Sequence, residues 1–293
     1  HKSYLILRNS ANLNIGNSEF ESLFIEKSLF DIELIGGSFS VTSTKFNNIK
    51  ASYSSRGGLV NAGGSDSYSS TKSLFKNCIF SNFEAPGGGL IYLFDFALTF
   101  SDCIFELIES ESSLFSVIES STLEISTTTF SNLSLGSLRR PVCFLSLTSG
   151  SKANIDSSSS DGRIFCRGDT FIASEASELR VNSFDFIHVD FSKFATSKFF
   201  LMEDTKADLL KLKVYEKPAC VLLNAVGKST ILSLIDSTVG NFLTNITFPA
   251  LIICSLCNSI SLQNNNFKNM SFLPVLKKSS TPNYSLVHIY KTG

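Results

Sequence analysis

One pattern recurs along the whole chain, and only a fold built by translation can use it. Its clearest copy is STLEISTTTFSNLS, residues 121–134. Leu123 and Ile125 alternate with polar residues, Thr128 is small, and Phe130 closes the pattern. Aligned on that Phe, further copies end at Phe20, Phe46, Phe80, Phe105, Phe186, Val214, Val239 and Phe267, and a degraded one, KANIDSSSSDG, lies between Phe130 and Phe186. Internal repeats at a fixed period are the signature of solenoids, propellers and arrays.

The register is the same in each copy. Seven and five residues before the anchor are usually apolar, as in Leu13/Ile15, Phe39/Val41, Leu98/Phe100, Leu179/Val181 and Leu232/Leu234. Two before it the residue is mostly small: Ser18, Thr44, Cys78, Cys103, Thr128 and Ser237. Each pair has the period of two that puts side chains on one face of a strand. The two pairs are out of phase, so the chain must bend between them. At the bend stand Asn17, Asn77, Asp102, Asp236 and Asn264, residue types that tolerate bends and bond their own backbone.

Short apolar runs fall between the Phe-anchored copies: SYLILRNS, SLFIEKS, GGLVNAG, GGLIYLF, SLFSVIES, VCFLSLT, RIFCRGD, FFLMED, ACVLLNA, ALIICSL and SLVHIY. Successive anchors are mostly about 25 to 28 residues apart. One unit of two or three short strands cannot bury its own apolar face, but a stack of them can. The expected fold is all-β: a right-handed parallel β-helix (solenoid) of about 10–11 rungs, one domain over residues 1–293. At about 4.8 Å per strand it makes a rod about 50 Å long. A propeller needs around 40 residues and four strands per blade. Composition agrees, with 27 Phe, no Trp and about 50 Ser, a bias toward strands over helices.

The net charge of −1 argues against nucleic acid as the main partner. No apolar run approaches the roughly 18 residues of a membrane-spanning helix.

Phe-x-Asn recurs at Phe46–Asn48, Phe80–Asn82, Phe130–Asn132 and Phe267–Asn269, and Gly-Gly-Leu-Val/Ile at residues 57–60 and 88–91. These motifs resemble the β-helix repeats of polymorphic outer-membrane-protein (Pmp-like) adhesins. In that family the Phe–Asn spacing is one residue longer and Ala stands in place of this Leu. Beyond Arg140 the resemblance is to parallel β-helices in general, the pectin-lyase-like superfamily. It implies a secreted or cell-surface protein, and a piece of a longer chain.

Candidate chemistry is sparse. Pectin-lyase-type enzymes gather Asp, His and Arg on one face. Here His188 lies near Asp185 and Asp190, with Arg180 and Lys193 close in sequence, and a structural reading of that group is preferred. GKST, residues 227–230, lacks the earlier Gly of a phosphate loop and opens a strand instead of a helix. Cys254-x-x-Cys257 reads as a local disulfide or two core thiols, since a zinc site needs further ligands. Cys78 and Cys103 share one repeat position, so their Cα atoms fall within the roughly 4.4–6.8 Å that a disulfide spans. A pair of small core residues is the plain alternative. Asn132, Asn245, Asn269 and Asn283 begin Asn-x-Ser/Thr sequons, which a Ser-rich chain also makes by chance. Arg167-Gly168-Asp169 spells a receptor-binding tripeptide that requires an exposed loop tip; an ordinary Gly turn is the plain reading.

The expectation is therefore a non-enzymatic extracellular structural or adhesive protein that needs no cofactor or metal. Its partners would be surface or matrix proteins or glycans. Open terminal rungs expose edge strands, which suggests an internal portion of a longer solenoid or end-to-end self-association. A pectin-lyase-type carbohydrate-active enzyme or glycan-binding module is the alternative.

Overall fold

The computed structural model of the chain describes residues 3–34, 36–52, 56–64, 73–85, 87, 89–136, 142–186, 189–191, 197–215, 221–240, 243–244, 250–269, 271–272 and 285–290. Among them every regular element is a β-strand, and the paired neighbours run parallel, coil on coil. The chain is a β-solenoid. One coil illustrates the unit. Its first arm is Phe115–Ile118, its second Thr122–Ser126, and its third Thr129–Ser131 continuing as Leu133–Leu135. First arms stack into a sheet of eleven strands, from Leu5–Asn9 to Ser285–Tyr290. Second and third arms form one sheet of 21 strands, because Lys152–Ser160 and Glu178–Phe186 run through the bend unbroken.

The register follows the repeat alignment. Leu98, Leu123, Ala153 and Leu179 stand in one column, and Phe100, Ile125, Ile155 and Val181 in the next. Phe46, Phe80, Phe105 and Phe130 occupy a third. All of these are buried. In the opening copy Leu123, Ile125, Thr128 and Phe130 face inward, two on each side of the bend.

The anchors stack face on face. Successive ring centroids from Phe20 to Phe130 lie 5.1, 5.0, 4.6 and 5.3 Å apart, with planes within 20° of parallel. Strand pairing sets the spacing of about 4.8 Å, which is also a favourable distance for offset stacked rings. Phe75 and Phe100, five residues before their anchors, stack at 5.0 Å and meet the anchor column edge-on. Where the degraded copy puts Ser160 at the anchor position, the column would hold a void. Phe184 fills it from the following coil, stacking on Phe130 at 6.1 Å and on Phe186 at 3.8 Å.

Both Gly-Gly motifs have a steric cause. The motif leucines stack, with the Leu59 N–H donating to the Leu90 carbonyl at 2.9 Å. Gly89 has φ +91°, and a Cβ there would fall 2.2 Å from the Ser113 carbonyl oxygen of the next coil. A Cβ on Gly58 would press on Ala51, Ala85 and Phe83 at 3.1–3.2 Å.

Two of the apolar runs belong elsewhere than their pattern suggested. The SLFIEKS run is the end of a third arm, Glu19–Ile25, and the first arm of the following coil is Phe30–Leu34. Likewise Ile164–Cys166 pairs with Leu133–Leu135 as a third arm, and the first arm begins at Asp169. Both halves of a third arm alternate apolar with polar, so periodicity alone cannot separate them from a first arm.

We predict that Phe105→Ala costs about 3–5 kcal/mol, the usual penalty for emptying a buried aromatic site. Ile104→Ala, next to it but outward-facing, should cost under about 1 kcal/mol. Urea unfolding of the two variants checks the difference.

Candidate functional surface

Because the interior is filled by the columns, any functional chemistry must lie at the corners and on the outer faces. The corners explain the polar motifs. The residue three before each anchor has positive φ, including Asn17, Ser43, Asn77, Asp102, Thr127, Ser183, Lys211, Asp236 and Asn264. The residue two after the anchor does the same at Ser22, Asn48, Asn82, Leu107, Asn132 and Asn269. Asn in Phe-x-Asn is thus a bend residue, since Asn enters this region at less cost than most side chains. The corner asparagines also bond along the rod. Asn48 donates to Ser22 Oγ at 3.0 Å and Asn82 to Asn48 Oδ1 at 3.3 Å.

A bend breaks the strand ladder, and the small residue two before the anchor repairs it. The hydroxyls of Thr44, Thr128, Ser158 and Ser237 each donate to the carbonyl two residues back, at 2.9–3.0 Å. Ser158 Oγ also accepts the Thr128 N–H of the preceding coil at 3.2 Å, and Ser237 Oγ the Leu212 N–H at 3.1 Å. In sequence this bracket position stands out only as mostly small, yet seven of its ten residues carry a hydroxyl or thiol.

Cys78 and Cys103 occupy the same bracket position, adjacent and buried, and both are free thiols. The disulfide considered for them is not formed. Each thiol points at the carbonyl two residues back, at 3.3 Å. The hydrogen bond to Cys78 and then burial push the Cys103 thiol up. Cys254 and Cys257 are disulfide-linked, with Cα atoms 6.1 Å apart.

Asn132 and Asn269 are exposed corner residues. Asn245 and Asn283 lie outside the described residues. Arg167 and Gly168 form a two-residue corner between strands, with Gly168 buried. Asp169 accepts the Lys198 N–H of the next coil at 2.7 Å, and burial pushes its carboxyl up. Arg167 lies over the Phe165 ring at 5.5 Å. The tripeptide is therefore a tight corner and not the projecting loop tip that receptor docking requires.

Of the group around His188, the side chain of Asp185 pairs with Lys213 at 2.9 Å. Arg180 lies on the other side of the Ser183 bend, and Asp190 is on the separate strand Val189–Phe191. His188 and Lys193 lie outside the described residues. The GKST stretch is a turn whose Ser229 N–H and hydroxyl both donate to Asp204 Oδ1, at 3.2 and 2.7 Å. A carboxylate of the chain itself occupies that turn. Those bonds hold Asp204 below the usual carboxylate range, as Thr127 and Ser101 do for Asp102. Among the described residues no three His, Cys, Asp or Glu converge as metal ligands.

Two grooves mark the outer faces. One, of about 320 Å³, runs along the third arms over Lys50, Glu84, Glu109 and Ser134, consecutive in register, with Lys50 and Glu84 ion-paired. The other, of about 330 Å³, lies on the first arms between Asp31, Glu33, Arg56, Asn61, Tyr92 and Phe94. Compared with known proteins, the chain matches no family model and no curated protein.

Thr128→Val keeps the bracket's shape and removes its hydrogen bonds. We expect a loss of about 1–3 kcal/mol in urea unfolding, with Thr128→Ser close to the parent. A second expectation concerns acid. Asp102 and Asp204 have lowered folded pKa values, so their contribution is present above the ordinary value of 3.8 and is lost as pH falls through the lower folded values. Melting temperature should drop below pH 3.8, and Asp204→Asn should flatten part of that drop.

Proposed function

We propose that this chain is a non-enzymatic extracellular scaffold whose outer faces make adhesive contacts with surface or matrix proteins or glycans. The observation that carries this reading is the direction of its polar bonding. Among the described residues, side chains bond along the rod, from coil to coil, and not toward a convergent centre. Asn61 with Asp31, Thr127 with Asp102, Asn182 with Asp156 and Asn264 with Asp236 all join neighbouring coils. Among the described residues, Arg180 lies on the second arm, across the Ser183 bend from Asp185, and Asp185 is committed to Lys213. A function that lives in a site requires such convergence. The resemblance of the repeat motifs to those of Pmp-like adhesins supports the same reading.

Self-association end to end belongs to this proposal.

The test is adhesion. Beads coated with the chain should attach to cell monolayers or matrix-coated surfaces above beads carrying an unrelated β-solenoid. Release of unsaturated or reducing ends from pectin or other polysaccharides by the purified chain would overturn the scaffold reading. Light scattering that shows only monomer at high concentration would overturn the end-to-end part.

A further inference from the structure

The first-arm groove is lined by aromatic rings on one side and carboxylates on the other. Three strands build it. Phe30–Leu34 presents Asp31 and Glu33, Val60–Gly64 presents Asn61 and Gly63, and Ile91–Phe94 presents Tyr92 and Phe94. In register, Asp31, Asn61 and Tyr92 form one row, and Glu33, Gly63 and Phe94 the next. Gly63 has no side chain, so Glu33 and Phe94 face each other across an open slot. Its width is two strand spacings, about 9.6 Å. Phe94 is left 43% exposed there, although it is a large apolar residue.

The polar groups are fixed before any ligand arrives. Arg8 pairs with Asp31 at 3.1 Å and Glu33 at 3.0 Å. Asn61 donates to Asp31 Oδ1 at 2.9 Å. The Arg56 guanidinium lies over Tyr92, 5.9 Å from the ring centroid. Among the described residues Arg8 and Arg56 balance Asp31 and Glu33 in charge. Carboxylate and amide oxygens retain accepting capacity, and the Asn61 amide has a second N–H.

We propose that this slot is a subsite for one neutral pyranose ring of a surface or matrix glycan. A pyranose has an apolar C–H face and a hydroxyl-bearing edge. Phe94 offers the face a flat apolar wall. Asp31 and Glu33, paired with Arg8, and Asn61, bonded to Asp31, offer the hydroxyls acceptors. The balanced charge disfavours an acidic sugar. About 330 Å³ is at the small end of the roughly 300–1,000 Å³ of small-molecule sites, which suits a single ring. This deepens the adhesive reading above and rests on it for the source of the sugar.

The experiment titrates the chain with cellotetraose, chitotetraose, mannotetraose, β-1,4-galactotetraose and tetragalacturonate, read by saturation-transfer NMR and calorimetry. Three variants accompany it. Gly63→Gln fills the slot: a Cβ at Gly63 meets nothing nearer than the Phe94 carbonyl oxygen at 3.9 Å, so the strand is undisturbed. Phe94→Ala removes the wall from an outward position. Glu109→Gln alters the other groove as a control. The expected result is a Kd of about 1 mM or tighter for at least one neutral tetrasaccharide, weakened at least about tenfold by Gly63→Gln and by Phe94→Ala and unchanged by Glu109→Gln. No neutral binding, binding that survives both slot variants, or preference for tetragalacturonate would overturn the proposal. Bead adhesion separates the two readings. Adhesion that persists in Gly63→Gln alongside silent titrations overturns the slot alone. Tetrasaccharide binding without adhesion upholds the slot and overturns the adhesive reading.

Discussion

Parallel, in-register pairing of each coil on the next is the constraint from which the rest of this structure follows. It fixes the rise at about 4.8 Å and places equivalent residues directly over one another. Every position in the repeat thereby becomes a column. A residue that stacks well on itself is favoured at inward positions, and Phe does so through its flat ring. The near-parallel rings from Phe20 to Phe130 are the direct result. A β-branched side chain would fill the same space but would not couple one coil to the next by ring stacking.

A closed coil must also bend, and each bend interrupts backbone pairing. The chain meets this with two kinds of residue at fixed offsets from the anchor. Asn, Asp and Ser enter the left-handed region, and an inward hydroxyl returns a donor and an acceptor to the broken ladder. The second device puts a polar atom in the core at most of these bends, Phe184 and Leu212 being exceptions. It is tolerated because the atom is bonded within its own coil and to the neighbouring one, as for Ser158 with Asp156 and Thr128. An unpaired buried hydroxyl would be costly. The columns also allow repair at a distance: Ser160 at an anchor position is balanced by Phe184 at a bracket position in the next coil. A repeat that looks degraded in sequence is complete once two coils are taken together.

The outer faces obey the same geometry without the demand for stacking, so they are free to vary. Most polar pairs there join adjacent coils and add to the rod. The slot at Gly63 departs from that pattern because its column lacks a side chain between an acid and an aromatic ring. It draws on residues from three coils. Asp31 and Phe94 are far apart in sequence, and neither belongs to a recognisable motif.

The repeat's spacing and phase alone determined that the chain is an all-β stack of parallel coils, which residues face inward, and where the coil bends. Those properties depend on local alternation and on translation, and both are visible along a linear chain. Pairing decided the rest. Whether Ile164–Cys166 is a first or third arm depends on its neighbour, since both arms alternate alike. The bracket role of Thr128 needed the next coil's amide, and the committed carboxylate of Asp169 needed Lys198. The free state of Cys78 and Cys103 and the facing of Glu33 with Phe94 are likewise decided between coils. Sequence records the period of this protein; only the stacked structure shows which residues, a full turn apart, meet.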